Sequence, residues 1–138
     1  SNVENTTGMF LYCSSFNQPL NSWDVSNVEN MNGMFEGCSS FNQPLNSWDV
    51  SNVERMYWMF YSCNSFIYPL PYDFIQKYIR CDKQQYFTKP KIEREQCPLT
   101  IHQVYCLQPH MKEISKRVAE RIKENYTYKK VCNLISNY

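Results

Sequence analysis

The sequence lacks the long apolar run that a membrane-spanning helix requires. No stretch of its 138 residues approaches the roughly 18 to 20 apolar residues that cross a bilayer. The charged start and apolar core of a signal peptide are missing as well. The sequence therefore indicates no transmembrane segment, and it leaves the location of the protein unknown.

Sequence motifs of catalysis are also absent. The patterns G-x-S-x-G and H-E-x-x-H and the Walker phosphate loop do not occur. Asp24 and Asp49 resemble a paired-carboxylate site, but they occupy equivalent positions of a repeat and are explained more simply as a solvated acidic ladder. We therefore predict a protein that is not an enzyme and that needs no cofactor.

A repeated unit of 25 residues fills the first half of the chain. The units 1–25 and 26–50 agree at all but four positions, and the unit 51–75 follows them as far as Leu70. One unit of this length cannot bury its apolar face alone, so tandem copies are expected to stack. Because the chain begins without Met at the first residue of a unit, we expect a fragment of a longer repeat protein.

Each unit has the pattern of a short helix followed by a very short strand. It opens with Ser-Asn-Val-Glu, the S-x-x-E signature of a capping box. An apolar stripe at helical spacing follows in the second unit. Near the end of the unit, Trp48-Asp49-Val50 alternates apolar and polar residues, which predicts a strand of a narrow parallel sheet. We expect these side chains of the second unit to point inward: Val28, Met31, Met34, Phe35, Cys38, Phe41, Trp48 and Val50.

One long run is matched almost fully in the first two units: M-x-x-M-F-x-x-C-x-x-F-N-Q-P-L-N-x-W-D-V-S-N-V. This run resembles the BspA-like leucine-rich repeats, in the variant first noted in mycoplasma surface proteins. The resemblance covers residues 1 to about 70. It implies an α/β, leucine-rich-repeat-like solenoid of short strand plus short helix, with no enzymatic activity and with a cell-surface or secreted location.

The seven cysteines divide between the repeats and the tail. Cys13, Cys38 and Cys63 recur at the repeat period and predict a ladder of buried thiols, since three equivalent sites cannot pair evenly. A disulfide among the remaining four would be reasonable in a secreted protein. Free thiols throughout would instead indicate an intracellular protein.

Aromatic residues replace polar surface residues in the third unit. One interpretation is that the tail packs against this end of the stack, because a terminal repeat needs a cap. The other interpretation is a contact patch for a partner protein. Together with the repeated aspartates, the candidate binding surface comprises Asp24, Asp49, Arg55, Tyr57, Trp58, Tyr61 and Tyr68.

Residues 76–138 are predicted to form a mainly α-helical cap or tail that closes the three repeats. The spacing of Phe74, Ile75, Tyr78 and Ile79 predicts a helix over 71–81, and a second helix is expected from about His110.

Four residues of the tail supply the ligand types of a tetrahedral zinc site: Cys97, His102, Cys106 and His110. Their spacing matches no zinc module, so buried thiols and solvated histidines are the alternative.

Charge is divided unevenly along the chain. Residues 1–70 contain one basic and six acidic residues, whereas residues 71–138 contain thirteen basic and seven acidic ones. The basic tail could meet nucleic acid or an anionic membrane surface, but interspersed glutamates make a solvated amphipathic helix the simpler interpretation.

We therefore expect a non-enzymatic module that recognises another protein or a surface. The alternative is a nucleic-acid- or zinc-binding tail with the repeats as a spacer.

Overall fold

The computed structural model describes residues 3–81 and 89–108. This part of the chain forms the helix α1 (Tyr72–Cys81), a single 3-10 turn (Arg94–Gln96) and the helix α2 (Ile101–Cys106). Its residues form no strand, and β-pairing is limited to three isolated bridges, at Asn5–Asn30, Asn30–Arg55 and Leu70–Leu99. The predicted α/β solenoid of short strand plus short helix is therefore wrong, because the repeats consist of turns and irregular coil.

The three repeats nevertheless lie on one another as successive layers. We call them layer 1 (residues 3–25), layer 2 (26–50) and layer 3 (51–70). The backbone N–H of Gly33 donates to the carbonyl of Tyr57 at 2.7 Å, and the N–H of Phe35 donates to the carbonyl of Met59 at 3.0 Å. Layer 1 donates to layer 2 in the same register. Single hydrogen bonds at every second residue thus join the layers along residues 31–37, where a helix was predicted, and not along the predicted strand Trp48-Asp49-Val50.

Consecutive β-turns replace the predicted capped helix of each unit. In layer 2 the N–H groups of Met34, Glu36 and Cys38 each donate to the carbonyl three residues earlier. Gly33 and Gly37 have φ values of +59° and +75°. This left-handed conformation cannot continue a right-handed helix, and it is the one that a type II turn needs at its third residue. The two glycines therefore prevent a right-handed helix in this segment.

Ser26, the expected first residue of a helix, belongs to an Asx-turn instead. Its backbone N–H and its hydroxyl donate to the carboxylate of Asp24 at 3.0 and 2.6 Å. Asp49 accepts from the N–H of Ser51 in the same way at 3.0 Å. The capping-box prediction is wrong because the aspartate two residues earlier in the chain, rather than a helix, uses the hydrogen-bonding groups of the serine.

Two columns of phenylalanine rings run through the stack. The rings of Phe10, Phe35 and Phe60 follow one another at centroid distances of 5.6 and 5.9 Å. Phe16, Phe41 and Phe66 form the second column at 5.8 and 5.6 Å. The prediction of inward residues in layer 2 is confirmed, since all eight are buried: Val28, Met31, Met34, Phe35, Cys38, Phe41, Trp48 and Val50.

Helix α1 closes the stack at layer 3. The helix predicted over 71–81 is confirmed, and its apolar residues are buried: Phe74, Ile75, Tyr78 and Ile79. Tyr78 lies 5.6 Å from the ring of Phe60, at the end of the first phenylalanine column. The carbonyl of Cys81 also accepts from the N–H of Met56 at 3.2 Å, as a further layer would. Helix α1 therefore continues both the core and the hydrogen-bond ladder.

The segment 97–108 packs beside α1. Leu99 and Leu70 exchange two backbone hydrogen bonds, at 2.7 and 3.1 Å. Helix α2 begins with a capping box, in which Thr100 accepts from the N–H of Gln103 and the Gln103 side chain accepts from the N–H of Thr100. Helix α1 lies across the expected boundary at residue 75, and the helix expected from about His110 lies outside the described residues.

Candidate functional site

Layer 3 differs from layer 2 at surface positions, where apolar side chains replace small or polar ones. Asn32, Gly33, Glu36, Asn42 and Gln43 of layer 2 correspond to Tyr57, Trp58, Tyr61, Ile67 and Tyr68 of layer 3. Four of the five replacements are exposed: Trp58, Tyr61, Ile67 and Tyr68. The interior of layer 3 keeps the repeat pattern, so this difference concerns the surface.

Trp58 and Tyr61 form an exposed aromatic pair. Their rings meet edge to face, with a centroid distance of 4.9 Å and an interplanar angle of 81°. The N–H of Tyr61 donates to the carbonyl of Trp58 at 3.2 Å, so both residues belong to one β-turn. The fractional exposure is 39% for Trp58 and 49% for Tyr61. The turn therefore presents two neighbouring aromatic faces to solvent in a fixed geometry.

The backbone of Trp58 is strained. Its φ is +61°, in the left-handed region, where layers 1 and 2 carry Gly8 and Gly33 at the equivalent position. A residue with a Cβ in this region costs about 1 to 2 kcal/mol relative to the right-handed one. The large exposed fraction of the side chain means that burial offsets this cost only in part.

Tyr68 lies apart from that pair, at a groove between layer 3 and the segment 94–98. The groove has a volume of about 550 Å³ and is lined by tyrosine, proline and one arginine: Pro44, Asn46, Tyr68, Pro69, Pro71, Tyr72, Arg94, Cys97 and Pro98. The guanidinium of Arg94 lies 4.3 Å from the ring centre of Tyr72. Arg94 is also 3.9 Å from the exposed carboxylate of Asp73, a contact that solvent weakens. The groove thus offers aromatic faces beside one cation.

Asp24 and Asp49 occupy neighbouring layers and are exposed. Hydrogen bonds from Ser26 and Ser51 lower the pKa of the two carboxyl groups. Both are therefore ionised at neutral pH and engaged in their turns, an arrangement that supplies no proton donor.

The side chain of Arg55 is exposed and makes no ion pair within the described residues. The structure brings together only Trp58 and Tyr61 in ring contact, and the remaining surface candidates stay predictions.

The candidate zinc ligands have unlike environments. Cys97 is a half-buried free thiol, whereas Cys106 is disulfide-bonded and offers no thiolate to a metal. Burial lowers the pKa of His102, whose Nδ1 is buried without a hydrogen-bond partner. Residues 3–81 and 89–108 contain no group of three or more histidine, cysteine or acidic side chains that could hold a metal. Since His110 lies outside these ranges, the complete four-ligand site stays an untested prediction.

The predicted thiol ladder is present in layers 2 and 3. Cys38 and Cys63 are buried and free, whereas Cys13 is free and exposed. Burial raises the pKa of Cys38 to about 11 and also raises that of Cys63. The sequence pattern did not distinguish Cys13, because its exposure follows from the position of layer 1 at an end of the described stack.

Sequence reasoning missed the members of the groove outside the repeats. Arg94 and Pro98 come from a segment without repeat pattern or helical periodicity, so no sequence signal placed them beside Tyr68. The left-handed position of Trp58 does have a sequence signal, namely glycine at the equivalent position of both other units.

Comparison with known proteins gives one family match. The model of a family described as "Mycoplasma protein of unknown function, DUF285" matches residues 1–91, which include all three layers and α1. No curated protein and no solved structure matches the chain. Neither helix of the described residues is long and apolar enough to cross a membrane.

Proposed function

Because the chain belongs to the DUF285 family, mycoplasma proteins of unknown function, we propose a function from its surface: it is a non-enzymatic module that binds another protein through the Trp58–Tyr61 pair of layer 3. The stacked repeats and α1 hold this pair on a rigid support.

The left-handed, exposed Trp58 is the observation that carries this proposal. Glycine at this position would satisfy the turn without strain, as it does in layers 1 and 2. Strained residues persist where the surrounding structure determines them, and they cluster at binding sites. Trp and Tyr are also the side chains that most often dominate binding energy at protein interfaces. Tyr12 and Ser62 share the left-handed conformation, but among these three residues Trp58 is the one whose ring contacts a second exposed aromatic ring within the described residues. The strained Trp58 together with Tyr61 is therefore best explained by contact with a partner.

The charge of the layers favours a protein over a nucleic acid as the partner. Residues 1–70 carry one basic residue against six acidic ones, and such a surface repels a phosphate backbone. The alternative, a nucleic-acid- or zinc-binding tail with the repeats as spacer, depends mostly on residues beyond Gln108 and stays a prediction.

The resemblance to BspA-like repeats supports the same proposal. We propose that the units are related in sequence to that family, whose members are mostly surface proteins, and that they serve recognition at a surface. This relation does not extend to the leucine-rich-repeat architecture, because the described repeats contain neither strands nor helices.

A variant that restores the residues of layer 2 in layer 3 tests the proposal. The double substitution Trp58→Gly and Tyr61→Glu copies Gly33 and Glu36, so the stack should tolerate it. Its matched control is Leu11→Glu with Tyr12→Gly, which makes the corresponding kind of change on layer 1. Peptides selected from a random displayed library on the full chain would serve as probes, and their affinity for all three proteins would be measured by fluorescence anisotropy.

We expect the selected peptides to bind the unmodified chain and the control equally. Their affinity for the Trp58→Gly, Tyr61→Glu variant should fall at least about tenfold, since truncation of a hot-spot side chain costs about 2 kcal/mol or more and tenfold is about 1.4 kcal/mol. Circular dichroism would check that the variants are folded. Equal affinity for all three proteins would show that the aromatic pair is not the binding surface.

A further inference from the structure

Side-chain donors of layer 2 bind backbone carbonyls of layer 1, and one of these contacts is repeated between layers 3 and 2. The indole Nε1 of Trp48 donates to the carbonyl of Leu20 at 2.8 Å, and the thiol of Cys38 donates to the carbonyl of Phe10 at 2.9 Å. The thiol of Cys63 repeats the second contact one layer later, at 2.7 Å from the carbonyl of Phe35. These bonds, with the backbone ladder, define a specific interface between layers.

Layer 1 carries the same donors, and no described residue lies on the other side of it to accept from them. Trp23, the equivalent of Trp48, is 42% exposed instead of 5%, and its indole nitrogen makes no hydrogen bond within the described residues. Cys13 is exposed, and its thiol only approaches the carbonyl of Leu11 in its own layer, at 3.8 Å.

The backbone of layer 1 is equally incomplete on this face. In layer 2 the carbonyls of Asn30, Asn32 and Met34 accept from layer 1 at 2.8 to 3.0 Å. Their equivalents in layer 1, the carbonyls of Asn5, Thr7 and Met9, accept no hydrogen bond from the described residues.

The apolar centre of this face is open as well. The rings of Phe10 and Phe16 stack at 4.1 Å and are half-buried, whereas their equivalents in layer 2, Phe35 and Phe41, are fully buried. The open face of layer 1 thus has an apolar centre, and its polar groups are spaced as in the interfaces between layers 1 and 2 and between layers 2 and 3.

We propose that this open face binds another unit of the same 25-residue type, stacked before layer 1 through the interface that joins layers 1 and 2. Such a unit supplies backbone N–H groups at every second residue for the free carbonyls. It also supplies carbonyls for Trp23 and Cys13, and two phenylalanine rings for the open columns. This surface is separate from the Trp58–Tyr61 pair, so the inference does not rest on the proposed function.

A second copy of the chain does not fit the same face. Two open faces placed together would oppose the carbonyls of Asn5, Thr7 and Met9 with carbonyls, which leaves acceptors without donors. The opposite end of the stack, which has the complementary groups, is covered by α1. The occupant must therefore be a unit whose N–H donors face layer 1 and are not covered by a helix such as α1.

The thiol of Cys13 provides the test. A copy of the sequence 26–50, with its cysteine replaced by serine, would be joined directly before Ser1 of the full chain, as layer 2 follows Val25. A scrambled unit of the same composition is the matched control. Mass spectrometry would follow alkylation of Cys13 by iodoacetamide in the native proteins, with the buried Cys38 as the internal reference.

We expect the native-sequence unit to slow alkylation of Cys13 at least about tenfold and the scrambled unit to leave it unchanged, because burial removes a thiol from reagent. Fast alkylation with both added units would overturn the proposal. Protection of Cys13 in the unextended chain that increases with protein concentration would also overturn it, because a second copy would then be the occupant.

Discussion

The strain at Trp58 can be measured by comparing two truncations of the same side chain. Trp58→Ala and Trp58→Gly both remove the indole ring and its contact with Tyr61, so these losses cancel in the comparison. What differs is the backbone, because only alanine must keep a Cβ at φ +61°. The left-handed conformation costs alanine about 1 to 2 kcal/mol, and the greater freedom of the unfolded chain costs glycine about 0.5 to 1 kcal/mol.

We therefore expect Trp58→Gly to be more stable than Trp58→Ala by about 0.8 kcal/mol, the difference between the midpoints of the two ranges. Urea denaturation followed by circular dichroism would give both free energies of unfolding. Ser40 is the control, since it is exposed, its φ is not positive and its side chain makes no hydrogen bond within the described residues. At this position we expect Ser40→Ala to be more stable than Ser40→Gly. If alanine is also the more stable at position 58, the left-handed strain is absent and the main support for the binding proposal is lost.

Three further predictions follow from the packing. Gly37→Ala should lower the free energy of unfolding, measured in urea, by about 2 to 4 kcal/mol. The reason is that φ of Gly37 is +75° and a Cβ there would lie 2.5 Å from Cδ1 of Tyr12. A loss near zero would contradict the left-handed turn at Gly37. Iodoacetamide should alkylate Cys13 much faster than Cys38 in the native protein, because Cys38 is buried and has its pKa raised to about 11; equal rates would contradict the stack. Burial lowers the pKa of His102 below 6.5, so the unfolded state binds a proton that the folded state does not, and stability should fall as pH drops below that value. Between pH 7 and 5 the urea midpoint should change less in His102→Gln than in the unmodified protein. An equal change of the midpoint with pH in both proteins would contradict this prediction.

The sequence predicted burial correctly but assigned the wrong backbone. Apolar residues such as Met31, Met34 and Phe35 recur at spacings of three and four, which are typical of a helix. Overlapping β-turns reverse the chain at a similar interval, so they bury the same residues without a helix. The distinguishing signal was Gly33, which has Gly8 as its equivalent one unit earlier. A glycine repeated inside an apparent helix indicates a required left-handed residue.

The sequence predicted the aromatic replacements of layer 3 but not their arrangement. Comparison of equivalent positions identified Trp58 and Tyr61, and their spacing of three residues places them on one turn. The groove at Tyr68 was not predictable in the same way, because it needs the segment of Arg94 to return to layer 3. That return depends on the pairing of Leu70 with Leu99, for which neither the repeat nor any local pattern gives a register.

The hydrogen bonds between layers fix both the turn that carries Trp58 and the face that layer 1 leaves open. Amide hydrogen exchange measured by NMR tests them directly. The N–H groups of Gly33, Phe35 and Gly37 donate to layer 3, whereas the N–H of Ser40 makes no backbone hydrogen bond within the described residues. We predict that the first three amides exchange at least about a hundredfold more slowly than that of Ser40, with chemical shifts that are not helical. Exchange of all four at similar rates, or helical shifts over residues 26–38, would contradict the stacked-turn architecture.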